Sequence, residues 1–257
     1  MFSFNPKEFK QSNLYLYMKI FISPQNSISE SQERDLKIIV KLAEKLLKKN
    51  NITIPKKIYF YNSFERFIEK VLPEVKDYGF DEDISIEIIK CALNNGTYGT
   101  INFKEDSIIE MNFNPFKGGG YSSLDFLELI IHESLHLHLC KKIEKDINLL
   151  KFKFNKEKFV GNKKLIQFDE GYAEFMTQKI LKEVDVQEIK NIKIIPINNQ
   201  KPKYKKEINN FDVEKFDKNF EVSVISNREK GLENFKEKFN EEANNEEILN
   251  YASKNLE

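Results

Sequence analysis

The chain has 257 residues, 40% hydrophobic and 32% charged, enough apolar material to build a core without disulfide support and too much for a disordered chain. Lys and Arg total 41 and Asp and Glu total 41, and this zero net charge argues against a nucleic-acid coat or a polybasic membrane binder. Two cysteines cannot form a disulfide framework.

The N-terminus, MFSFNPKEFKQSNLYLYMKIFISPQNS, lacks the basic lead, unbroken apolar core and cleavage site of a secretory signal. No stretch of about 18 apolar residues predicts a membrane span. The expectation is a soluble, cytoplasmic protein. Leu36, Ile39, Val40, Ala43, Leu46 and Leu47 recur at helical spacing, with lysines opposite, which predicts a helix over 30–49 that stops near Asn50 and Asn51. Residues 52–61 read as a strand after Pro55. Ser63 caps a short helix with a buried face of Phe64, Phe67, Ile68 and Val71, and a further helix covers 83–94. TYGTINF (97–103) and SIIEMNF (107–113), joined by a polar turn, read as a β-hairpin. The segment 114–121, with Gly118, Gly119 and Gly120, is a loop and a candidate flap.

An amphipathic helix is predicted over 123–142, then a coil-like stretch rich in Lys and Phe to about 166, then a second helix over 168–184. Beyond it, IKIIPI reads as a short strand and NNQKPKYKKEINN as a polar linker. Residues 212–225 and 231–254 read as helices broken at Gly231.

Histidine is scarce. The only three are His132, His136 and His138, all within seven residues. His132-Glu133-Ser134-Leu135-His136 is an HExxH match, which arises by chance in roughly 0.3% of chains of this composition. On a helix, residues four apart lie about 40° from each other around the axis, so both imidazoles leave one face and can grip one metal ion. Glu133 then reaches a water in an open coordination position. Two nitrogen ligands, a base and room for water are what a zinc hydrolase requires.

A catalytic zinc takes a third protein ligand. His138 points about 200° away from His136 and reads as a packing or surface histidine. Cys140 reads as a small core residue. The third ligand is then a carboxylate, and FDEGYAEFM (168–176) supplies candidates. Glu170 can bind the metal while Glu174, one turn on, accepts the far ring N–H of a ligating histidine. Gly171 and Ala173 are small enough to let this helix approach the first one closely.

HExxH followed by a helix bearing E-G-x-A-E resembles the gluzincin zinc metallopeptidases, most of all their peptidase-MA-like branch. The likeness covers about 30–184 and rests on two specific motifs. It implies an α+β, zincin-like fold of two lobes, 1–142 and 143–257, with the cleft between them. The N-terminal lobe would hold helices, a small sheet and the HExxH helix, and the C-terminal lobe would be mainly helical. It implies one Zn2+ held by His132, His136 and Glu170, with Glu174 behind them and Glu133 as general base. It also implies that the first hairpin strand is an exposed edge on which an extended peptide adds antiparallel to Tyr98, Gly99 and Thr100. No histidine remains to stabilise the oxyanion, which leaves Tyr204, Tyr251 and Arg228 as candidates.

The expected function is zinc-dependent hydrolysis of peptide bonds in a peptide or protein substrate, with no nucleic-acid partner. The alternatives are a catalytically silent zinc-binding interaction domain, a regulatory protease with a single protein partner, and a zymogen-like state. In that last state the N-terminal 30 residues or the C-terminal helices cover the cleft.

Overall fold

The computed structural model describes residues 10–11, 18–22, 30–61, 64–77, 79–94, 99–102, 105–111, 121–143, 152–155, 158–161, 163–184, 193–194, 207–208, 211–212, 229–240 and 243–255. The architecture is α+β: helices packed around a five-stranded mixed sheet. Its strands are β1 (Lys10–Gln11), β2 (Lys19–Ile22), β3 (Lys57–Tyr61), β4 (Gly99–Asn102) and β5 (Ser107–Met111), in the order β1-β2-β3-β5-β4. β2, β3 and β5 are parallel, while β1 and β4 pair antiparallel at the two edges.

β3 shows why helices cover both faces. Ile58 and Phe60 point into the main core, whereas Tyr59 and Tyr61 point the other way and pack with Phe67, Val71 and Ile89. Those last three come from α2 (Phe64–Lys76) and α3 (Glu82–Asn94). On the main-core face lies α1 (Glu30–Lys49), which buries the six predicted apolar residues. Asn51 ends it with φ 55°. Ile52 N–H returns to the Leu47 carbonyl at 2.9 Å and Asn51 N–H to the Lys48 carbonyl at 3.2 Å. This is the left-handed helix stop that Asn tolerates. The buried Glu44 carboxylate of α1 accepts the Met18 N–H at 2.5 Å and anchors the start of β2.

β4 and β5 form the expected hairpin, with Gly99 opposite Glu110 and Asn102 opposite Ser107. Asp106 in its turn pairs with Lys56 at 2.8 Å and with Lys141. Burial raises its pKa, but the two ammonium groups outweigh that and hold it below the usual carboxylate value. The hairpin is thereby tied to the end of α4 (Ser123–Ile143), the HExxH helix.

α4 is not amphipathic. Phe126, Leu127, Ile130, Ile131, Leu135, Leu137, Leu139 and Cys140 are all buried, so apolar side chains surround the helix on every side. Phe60 of β3 stacks on Phe126 at 5.2 Å. Elsewhere α4 packs on α1, on β4 and on α5 (Lys163–Leu181). The coil expected before α5 is instead a hairpin of β7 (Phe152–Asn155) and β8 (Lys158–Gly161), and α5 starts at Lys163 rather than 168. Phe152 and Phe154 alternate with polar residues, a strand signal that high lysine content obscures. Short antiparallel pairs join β6 (Tyr121–Ser122) to β9 (Lys193–Ile194) and β10 (Glu207–Ile208) to β11 (Phe211–Asp212).

The C-terminal helices are α6, residues 229–238, and α7 (Asn245–Asn255). Gly231 lies inside α6 rather than at a break, and the described residues 239–240 and 243–244 between the two helices are not helical. Of the helix expected over 212–225, residue 212 is in β11 and the rest lies outside the described residues. Gly231 meets Gly171 of α5. A Cβ on Gly171 would lie 2.5 Å from the Gly231 carbonyl oxygen, and one on Gly231 would lie 2.2 Å from that of Gln167. The small residue at 171 thus serves this backbone contact with α6, not the expected approach to α4. Phe168, Phe235, Phe239 and Tyr251 cluster around the crossing. One continuous core runs from Met18 to Ala252. β1 and β2 build the edge of the sheet opposite β4, so the described N-terminal strands do not cover the β4 edge. No helix among the described residues is long and apolar enough to cross a membrane.

His138 belongs to this core, as its direction on the helix predicts. Its Nδ1 accepts the Thr53 N–H at 2.9 Å, its Nε2 lies 2.9 Å from the Asn245 side-chain amide, and that amide lies 2.8 Å from the Tyr172 hydroxyl. Burial, helped by Lys142, lowers the His138 pKa from 6.5 to about 4. The unfolded ring binds a proton near 6.5 that the folded one refuses until about 4. The stability contributed by neutral His138 is therefore complete above pH 6.5 and is lost as pH falls through that window, by up to about 3 kcal/mol. In urea titrations at neutral pH and near pH 4.5, wild type should lose more stability than His138→Gln. Equal losses would show that another group titrates.

Candidate metal centre

Four polar side chains of α4, His132, Ser134, His136 and His138, are buried, and each requires a partner. Ser134 donates to the Ile130 carbonyl at 2.7 Å, one turn back. His138 is held as described above. His132 and His136 remain, and both face α5.

Their Nε2 atoms are 3.0 Å apart, and Glu170 Oε2 lies 3.6 Å from the first and 3.9 Å from the second. These three residues are the only such group of metal-ligating side chains among the described residues. Ligands about 2.0–2.1 Å from one tetrahedral ion are separated by about 3.3 Å. The observed separations of 3.0, 3.6 and 3.9 Å straddle that spacing.

Proton placement supports the same fit. Asp169 Oδ1 lies 2.8 Å from His136 Nδ1, so that nitrogen donates and the Nε2 of a neutral ring carries a lone pair. If His132 Nε2 donated to it, His132 Nδ1 would be a bare acceptor. That Nδ1 is buried, has no hydrogen-bond partner, and lies 3.8 Å from Glu174 Oε2, which is also an acceptor. A cation between the two Nε2 atoms and Glu170 removes the conflict. Both rings then carry their protons on Nδ1, one toward Asp169 and the other toward Glu174. Two imidazoles and one carboxylate are donors that suit zinc, with a fourth position open for water.

The helix α5 places these carboxylates. Leu165, Tyr172, Ala173, Met176 and Ile180 form its buried stripe, and Asp169 sits within that stripe at 1% exposure. Glu170, next along, is 19% exposed at its side chain, so the ligand set opens toward solvent on the Glu170 side. Glu133 is also partly exposed. Glu174 Oε1 accepts an N–H from Gln178 at 2.9 Å, and its other oxygen stays outside hydrogen-bond distance of His132.

The sequence reading missed Asp169. The signal was available only with the true start of α5. A helix from Lys163 makes 165, 169, 172, 173 and 176 one apolar stripe, and a carboxylate inside it stands out. A helix from 168 makes Asp169 an ordinary first-turn acid.

The other expected site residues are distributed as follows. Gly99 and Thr100 lie on β4, the edge strand packed against α4. Tyr251 lies in the aromatic cluster, 6.0 Å from Phe168 and 5.7 Å from Phe239, with Lys238 over its ring at 3.5 Å. Tyr98, Tyr204, Arg228 and the loop Gly118–Gly119–Gly120 lie outside the described residues.

Replacing Asp169 with Asn keeps the shape but removes the charge that orients His136 and raises its basicity. Zinc affinity, read by competition with a chromophoric chelator, should fall about 10- to 100-fold. An unchanged affinity would remove Asp169 from the centre.

The chain matches no protein-family model, and no curated protein and no solved structure was found to be similar to it.

Proposed function

We propose that this chain is a zinc-dependent peptidase of the gluzincin type, with the two-lobed zincin-like organisation that the HExxH and E-G-x-A-E motifs suggest. The reading is carried by one observation: two Nε2 atoms from HExxH and one oxygen from Glu170 lie 3.0, 3.6 and 3.9 Å from one another, a spacing that a single bound ion can bridge. When bound there, zinc supplies a Lewis acid that lowers the pKa of a coordinated water and polarises a carbonyl.

The chain's own residues do the rest. His136 is oriented by Asp169 and His132 faces Glu174, so both present Nε2 to the ion. Glu170 contributes a negative charge that moderates the charge of the centre. Glu133, between the ligands in sequence and partly exposed, accepts the proton of the attacking water and returns it to the leaving amine. A substrate backbone adds as a further antiparallel strand to the edge of β4 that no described strand occupies, at Gly99 and Thr100 and the preceding Tyr98, opposite the edge that β5 occupies. β4 packs against α4, so a peptide added to β4 would run alongside the helix carrying Glu133. One of Tyr204, Tyr251 and Arg228 is the proposed donor to the oxyanion, and of these Tyr251 packs in the aromatic cluster with Phe168 and Phe239.

The test separates a peptidase from a catalytically silent zinc domain. Glu133→Gln should bind zinc with wild-type stoichiometry and cleave no member of a peptide library that the wild type cleaves, a loss of at least about 100-fold. Full activity in the variant would remove Glu133 as the base. A wild type that binds zinc and cleaves nothing would favour the silent domain.

A further inference from the structure

No residue of 229–255 belongs to the ligand set, yet one of them touches both helices that supply it. α7 begins at Asn245, and a reciprocal pair caps it. Asn244 Oδ1 accepts the Glu247 N–H at 3.0 Å, and Glu247 Oε2 accepts the Asn244 N–H at 3.1 Å. Lys179 of α5 donates to the Ala243 carbonyl at 2.8 Å, one residue before the cap. These contacts fix where Asn245 stands.

The Asn245 amide lies 2.9 Å from His138 Nε2 and 2.8 Å from the Tyr172 hydroxyl. His138 is two residues past His136 on α4, and Tyr172 is two residues past Glu170 on α5. Two residues turn a helix by about 200°, so each contact leaves its helix on a different face from the ligand. Both contact residues are fully buried, at 1% and 0% exposure. A primary amide is suited to this place because it donates and accepts at once. Since Thr53 N–H fixes His138 Nδ1 as an acceptor, a neutral ring carries its proton on Nε2. As placed, the Asn245 amide oxygen accepts the Tyr172 hydroxyl proton and its NH2 faces His138 Nε2. A half-turn of the amide would set the oxygen on the Nε2 proton instead, and both orientations keep the same two partners.

A ligand set divided between two helices is only as well placed as the register of one helix against the other, and sites of this kind need placement within about 0.5 Å. We infer that Asn245 is a positioning residue for the metal centre: through His138 and Tyr172 it sets the helix of His132 and His136 against the helix of Glu170. This inference rests on the metal-centre reading. It gives the C-terminal helices a part in metal binding although they supply no ligand. Linkage makes the effect mutual, so zinc must stabilise the docking of α7 by the same factor that docking raises zinc affinity.

The test uses the full-length protein in four forms: wild type, Asn245→Ala, Tyr172→Phe and Val71→Ala. Val71 lies in the separate cluster on the far face of the sheet and serves as a control for loss of stability alone. Zinc affinity is measured by chelator competition, and the Co2+-loaded forms are compared by visible absorption. Asn245→Ala should bind zinc about tenfold more weakly and show an altered Co2+ spectrum. Tyr172→Phe, which removes one oxygen and leaves the ring packed, should change affinity and spectrum in the same direction. Val71→Ala should match wild type in both. In wild type, zinc should also slow amide hydrogen exchange across 245–255. Wild-type affinity and spectrum in Asn245→Ala, or in Tyr172→Phe if the former does not fold, would overturn the inference while leaving the metal centre standing. A wild type that takes up no zinc would overturn both.

Discussion

α4 buries His132, Ser134, His136 and His138 among apolar side chains, and an unpartnered polar group in such a place costs about 1–3 kcal/mol. Much of the surrounding structure answers that cost. Ser134 is satisfied within its own helix. His138 draws in the Thr53 backbone from one side and Asn245 of α7 from the other. His132 and His136 turn to α5, where Asp169, Glu170 and Glu174 meet them with three carboxylates. A cluster of two imidazoles and three carboxylates, with one imidazole nitrogen left unpartnered, lacks a positive charge at its middle. One divalent cation held by His132, His136 and Glu170 would supply it.

The same constraint explains the arrangement of the outer layers. The sheet presents Ile58, Phe60, Ile101 and Ile108 to the main core, and its edge strand β4 packs against α4. The Asp106 pairings with Lys56 and Lys141 fix the β4–β5 hairpin to the end of that helix. On the other side, the contact of Gly171 with Gly231 presses α6 onto α5 beside Glu170, a closeness that no larger residue permits. The proposed peptide-binding edge and the proposed third ligand are thus both referred to α4, from opposite directions in the chain.

Much of this was legible in the sequence, and the exceptions share a physical cause. α1, β3, the β4–β5 hairpin and α4 follow from local periodicity and turn residues, and the structure places them within a few residues of expectation. His132, His136 and Glu170 were legible because i, i+4 spacing is a local fact and few donors were left for the third position. The β7–β8 hairpin and the first turn of α5 were obscured by their lysines, and with that turn went Asp169. Gly231 reads locally as a helix breaker, but a long-range contact keeps it inside α6. The ties from His138 to Thr53 and Asn245 join residues 85 and 107 positions apart. No pattern within a single element encodes such pairings. The direction of His138 away from the ligand face was readable, whereas its partners were not.

X-ray absorption at the zinc K-edge of the zinc-loaded protein tests whether His132, His136 and Glu170 together hold one ion. One zinc per chain is expected, with a first shell of nitrogen and oxygen at about 2.0–2.1 Å, outer scattering from two imidazoles, and no sulfur. Failure to retain stoichiometric zinc, or a first shell containing sulfur or lacking imidazole, would contradict it.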